Sequence, residues 1–71
     1  MSHVFVIETI ENGRFKVLWK GYFNPFFDMS REEIVEALRE KFGEGWYQVY
    51  KFENLGGNKW GRTTIFRGIV R

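Results

Sequence analysis

One segment of this chain has a helical period and four others have a strand period. A single helix can cover only one face of a four-stranded sheet, so the second face must meet solvent, another subunit or a ligand. The helix is marked at both ends. Ser30 stands as its N-cap and Glu33, three residues on, can reach back to it, which makes a capping box, while Met29 and Ile34 hold the positions of a hydrophobic staple. Ile34, Val35, Leu38 and Phe42 form one apolar stripe with Glu32, Glu36 and Glu40 on the far side. Gly43 can take the left-handed conformation that stops a helix. The spacing predicts a helix over residues 30 to 42.

Around it, residues 3 to 10 and 15 to 23 are rich in β-branched and aromatic types, with Asn12-Gly13 between them. Asn-Gly supplies the two positive φ angles of a type I′ turn, so this is a hairpin with Glu11 opposite Arg14. Pro25 and Asp28 break the strand pattern before the helix. Residues 46 to 53 and 62 to 70 read as two more strands, joined by a loop over 54 to 61. The expected fold is α+β: a ββαββ order, a four-stranded antiparallel sheet and one helix packed on one face. At 71 residues the chain is expected to form a single domain, 1 to 71, near the lower size at which a chain folds alone.

The turn sets the expected sheet faces. Regular pairing puts Ile10 opposite Phe15, Glu8 opposite Val17, Val6 opposite Trp19 and Val4 opposite Gly21. All but Glu8 are apolar or glycine, so this face is expected to meet the helix stripe. Val4, Val6, Ile10, Phe15, Val17, Trp19, Ile34, Val35, Leu38 and Phe42 are then the expected core. Glu8 is the odd carboxylate there, placed at the sheet margin or paired with a basic residue. The outer face is expected to show Arg14, Lys16 and Lys20 around Phe5, Ile7, Leu18 and Tyr22. An exposed apolar patch of that size marks an interaction surface.

Chemistry is hard to assemble from the remaining residues. The chain has no cysteine, one histidine (His3), one aspartate (Asp28) and two serines, of which Ser30 serves as a cap and Ser2 lies at the terminus. No nucleophile, base and orienting group can be combined from these, so no catalytic residue and no enzyme activity are expected. A metal site needs clustered His, Asp, Glu or Cys, and none is expected, nor is a cofactor. Gly56-Gly57 lacks the strand, lysine and helix of a phosphate loop. The longest apolar run is Val4 to Ile7, so neither a membrane span nor a signal peptide is expected, and a cytoplasmic protein is the simplest reading.

Charge is unevenly spread. Between Arg31 and Glu44 five carboxylates face three cations, whereas the rest of the chain carries eight cations against four carboxylates. Aromatic residues make up 20% of the chain, enough for both a core and a surface platform. Stacking platforms place rings on a sheet with Lys and Arg around them. The expected function is therefore nucleic-acid binding through Arg14, Lys16, Lys20, Tyr22, Lys59, Trp60 and Arg62. Tyr22 and Trp60 are its stacking candidates, although Trp60 can equally fold back as a lid on the core. DNA and RNA, single-stranded and duplex, stay open. The alternative is a protein partner, including a homodimer that hides Phe5, Ile7 and Leu18 together.

Two local resemblances add to this reading. "FKVLWKGYF" (residues 15 to 23) is similar to a chromodomain strand, but the Trp-Glu-Pro-type segment of that family is missing and a helix follows instead. "EKFGEGWYQVYKF" (residues 40 to 52) resembles a helix–strand unit of small phage and archaeal-virus proteins. That resemblance implies a viral protein acting in the host cytoplasm and identifies no activity. The charged, cysteine-free composition would suit a thermophilic source.

Overall fold

A computed structural model describes residues 3–71, and Ser2 lies outside the described residues. The chain forms β1 (His3–Glu11), β2 (Arg14–Gly21), α1 (Arg31–Phe42), β3 (Gly45–Gly56) and β4 (Lys59–Val70). The four strands are antiparallel in one sheet of order β2-β1-β3-β4. This is the expected ββαββ, α+β fold. Among the described residues, no helix is long and apolar enough to cross a membrane.

Local signals explain the element ends. Asn12 (φ 54°) and Gly13 (φ 76°) make the turn, and Glu11 pairs with Arg14. The Ser30 hydroxyl accepts from the Glu33 amide at 3.2 Å and the Glu33 carboxylate accepts from the Ser30 amide at 2.8 Å, so both halves of the capping box form. Gly43 takes φ 90° and donates to the Arg39 carbonyl, ending α1. The Tyr47 hydroxyl donates to the Gly43 carbonyl at 2.8 Å and so ties the helix end to β3. At the other end the Arg31 guanidinium lies 4.6 Å from the centroid of Phe66 on β4, and a Cβ at Gly68 would approach it to 3.1 Å.

The core lies between α1 and one sheet face. Ile34 and Leu38 of the helix meet Ile7, Tyr47, Val49, Phe66 and Val70, and Phe26 plugs the cluster from the connection between β2 and α1. Trp19, Val35 and Phe42 pack against it, as the sequence leads one to expect.

The sheet face, however, is the opposite of the expected one. Ile7 is 2% exposed beneath the helix, whereas Ile10, Phe15 and Val17 are exposed on the other side, where Val4 is half-buried. Val6 is buried, but by neighbours on that second face. Two features cause the reversal. Phe5, Ile7 and Thr9 stand opposite Lys51, Val49 and Tyr47 in an unbroken register, so β1 presents its odd positions to the helix. Along β2 the ladder then shifts at Leu18: Glu8 pairs with Val17, but Ile7 pairs with Trp19 and Val6 with Lys20. This bulge inserts one residue and restores Trp19 to the helix side.

The second hairpin also differs from expectation. Residues 54 to 61 are not a long loop: β3 and β4 run on to a tight turn at Gly57-Asn58, with Asn54 paired to Trp60 and Gly56 to Lys59. Trp60 is therefore a strand residue.

Candidate functional site

With the helix on one side, the second sheet face is bare, and it is built in transverse rows. Ile10 and Phe15 pair across β1 and β2, Trp46 and Ile69 pair across β3 and β4, and the rings of Phe15 and Trp46 join the pairs at 6.2 Å. The next row is Val17, Glu8, Gln48 and Arg67. After it come Lys20, Val6, Tyr50 and Thr64, and then Val4, Phe52 and Arg62. Trp60 closes the face by stacking on Phe52, with centroids 5.1 Å apart and planes 10° from parallel.

The face thus has an apolar end, a polar middle and an end that mixes cations with aromatic rings. In the middle, the buried Glu8 carboxylate accepts from Gln48 Nε2 at 2.7 Å and from the Tyr50 hydroxyl at 3.3 Å. Glu8 thus lies within a β-strand, its carboxylate held by two side chains of β3. Burial pushes the Tyr50 phenol above its ordinary 10.0, and the Glu8 charge and hydrogen bond push the same way, while Arg62 opposes them. The Arg62 guanidinium lies 4.5 Å from the Tyr50 ring centroid. Among the described residues, Lys20, Arg62 and Arg67 enter no ion pair. Val4, Val6, Val17, Lys20, Tyr50, Phe52 and Arg62 line an open cavity of about 250 Å³ at this end.

The residues expected to form a site are split by this geometry. Lys20, Trp60 and Arg62 come together on the open face. Lys59 is exposed beside the turn at the start of β4. Arg14 and Lys16 pair with Glu11 and Thr9 on the helix-side face, at the hairpin tip, where Lys16 binds Glu11 at 3.3 Å. Tyr22 is exposed in the connection after β2, its carbonyl accepting from His3 Nε2 at 2.9 Å. Phe5, Ile7 and Leu18, expected on an outer interface, are corrected to the helix side: Phe5 and Ile7 are buried, and Leu18 packs against the core from the bulge.

Sequence reasoning missed Tyr50, Phe52 and Trp46 as open-face rings. A signal was present. Glu8, Gln48, Arg62 and Arg67 are all polar at positions of one face, while Ile7, Val49 and Phe66 opposite them are uniformly apolar. Comparison with protein families, with curated proteins and with solved structures finds no match to the chain.

Proposed function

We propose that the protein binds nucleic acid through the open face of its sheet. One observation carries this reading: on the open face three cations that enter no ion pair among the described residues stand beside aromatic rings, and the carboxylate of that face is buried. The helix is mixed, its carboxylates Glu32, Glu36 and Glu40 standing with Arg31, Arg39 and Lys41. The open side bears Lys20, Arg62 and Arg67 beside Tyr50, Phe52 and Trp60, and its carboxylate Glu8 is buried and hydrogen-bonded. Phosphates need cations that are not already paired, and bases need rings with a free face.

Binding of labelled single-stranded and duplex oligonucleotides at two salt concentrations tests it. Affinity should fall steeply as salt rises. Retention of neither form at low salt would remove the reading.

A second reading, a homodimer, is favoured by the other end of the same face. Ile10, Phe15 and Ile69 are exposed there in one row, and a second copy of the chain would cover them. Sedimentation at micromolar concentration tests this, and its salt dependence should be weak. The two readings use different rows and are compatible.

A further inference from the structure

The cavity at the basic end points to the form of nucleic acid that the face takes. Its volume, about 250 Å³, lies just below that of sites for drug-sized ligands. A flat heterocycle fits that volume. Val4, Val6 and Val17 supply apolar surface, Tyr50 and Phe52 supply rings, and the long cations Lys20 and Arg62 reach it from the two edge strands. Three strand spacings separate those edges, roughly 14 Å. A base that enters such a cavity leaves its phosphates on either side, within reach of a cation at each edge.

Arg62 suits that role for a further reason. Its guanidinium lies against the Tyr50 ring, and no hydrogen bond within the described chain uses its in-plane donors. A guanidinium that uses no donor within the chain keeps them for a planar anion or a phosphate. Trp60, half exposed and stacked on Phe52, offers its outer side to a neighbouring base.

We infer that this cavity takes one unpaired base, so that the open face selects single-stranded nucleic acid, DNA or RNA, over duplex. The inference rests on the nucleic-acid reading above and adds the strand form and the place of the base. A base inside a duplex has both its faces in the stack and its pairing edge engaged, so it cannot enter. Duplex is left with the cations alone.

Fluorescence anisotropy with end-labelled 12-mers at low salt tests this on the whole chain. The ligands are oligothymidylate, oligouridylate, an abasic strand of equal charge, and a blunt duplex. The two base-bearing strands should bind at least about tenfold more tightly than the abasic strand and the duplex, the lower part of what one base–aromatic stack contributes. Phe52→Ala and, as an independent variant, Arg62→Gln should each weaken binding of oligothymidylate. Phe52→Ala should move it towards the abasic level, with any Trp60 stack remaining, while leaving the abasic strand unaffected. Equal affinity for abasic and base-bearing strands, or for duplex and single strand, would overturn the base cavity and leave the nucleic-acid reading standing. Absence of binding to all four would remove both. The wild-type comparison requires no variant to fold.

Discussion

Lys16 and Lys20 are four positions apart on β2 and project from opposite faces of the sheet. In a regular strand they would share a face, because side chains alternate with a period of two. The bulge at Leu18 changes the parity between them: Lys16 pairs with Thr9 on the helix side, Lys20 with Val6 on the open side. Sequence reasoning that treats the two lysines as one basic patch therefore fails at a single inserted residue.

This separation makes the two lysines an internal control. Lys20→Ala should weaken oligonucleotide binding and lower the salt slope by about 0.7 to 0.9, the loss of one phosphate contact. Lys16→Ala should leave both unchanged, since Lys16 sits at the hairpin tip beside Glu11. Slopes measured by anisotropy over a salt series decide it. Equal effects from the two substitutions would mean that the strand wraps the edge of the sheet instead of lying on the open face.

Stability should follow the observed core. Leu38 is 0% exposed, and Leu38→Ala should cost about 2–5 kcal/mol, a large share of what so small a domain has. Val17→Ala and Ile10→Ala, at exposed positions of the open face, should stay within about 1 kcal/mol of wild type, as surface changes do. Thermal melts followed by circular dichroism separate the two faces. A larger loss from Val17→Ala than from Leu38→Ala would reverse the assignment of the core.

Elements and order were legible in the chain because each rests on a local signal: Asn12-Gly13 for the first turn, Ser30 with Glu33 for the helix start, Gly43 for its end. The helix stripe was legible for the same reason, and Ile34 and Leu38 are buried as its spacing predicts. What was not legible was the face. Positions 4, 6 and 10 of β1 are as apolar as 5 and 7, so alternation alone does not say which set meets the helix. The choice lies in pairing with β3, where Val49 and Tyr47 stand opposite Ile7 and Thr9, and that pairing is long-range. A second bulge lies on β4, where Val49 pairs with Phe66 but Tyr50 with Thr64; its extra residue Ile65, like Leu18, packs against the core from an edge strand, and no turn residue announces either bulge.

The buried Glu8 supplies a prediction about pH. Tyr50 and Tyr47 both hold their protons above the ordinary value, Tyr47 through burial and Tyr50 through burial with the added effect of Glu8. A folded-state pKa above the unfolded one stabilises the fold fully below the unfolded value of about 10, and that contribution disappears as pH rises through the folded value. Melting temperature should therefore fall above about pH 10, and less steeply in Tyr50→Phe. Glu8→Gln removes the neighbouring charge and should move the Tyr50 titration down towards its ordinary value, with burial still holding it above. A spectrophotometric phenolate titration reads this directly. An unchanged Tyr50 titration in Glu8→Gln would mean that the carboxylate does not face the ring.

Trp60 distinguishes a binding face from a merely structural one. Because β4 begins at Lys59, its ring is carried on a strand and stacked on Phe52, with half of its surface open. As a cross-strand partner alone it contributes about 0.5–1.5 kcal/mol to the fold, and Trp60→Ala would then lower the melting temperature and leave affinity untouched. As a platform it stacks a base on its free side, and the same substitution should cost about 1–3 kcal/mol of binding to strands of any sequence. The salt slope should stay at the wild-type value, because no phosphate contact is removed. Trp60→Phe keeps a ring in the stack and should recover most of the affinity. Trp19, on the helix side against Gly21, provides the fluorescence control. Quenching on titration with a single strand should fall sharply in Trp60→Ala, leaving only a smaller contribution from Trp46. Full quenching in Trp60→Ala would place the strand at the apolar end of the face, away from the cavity.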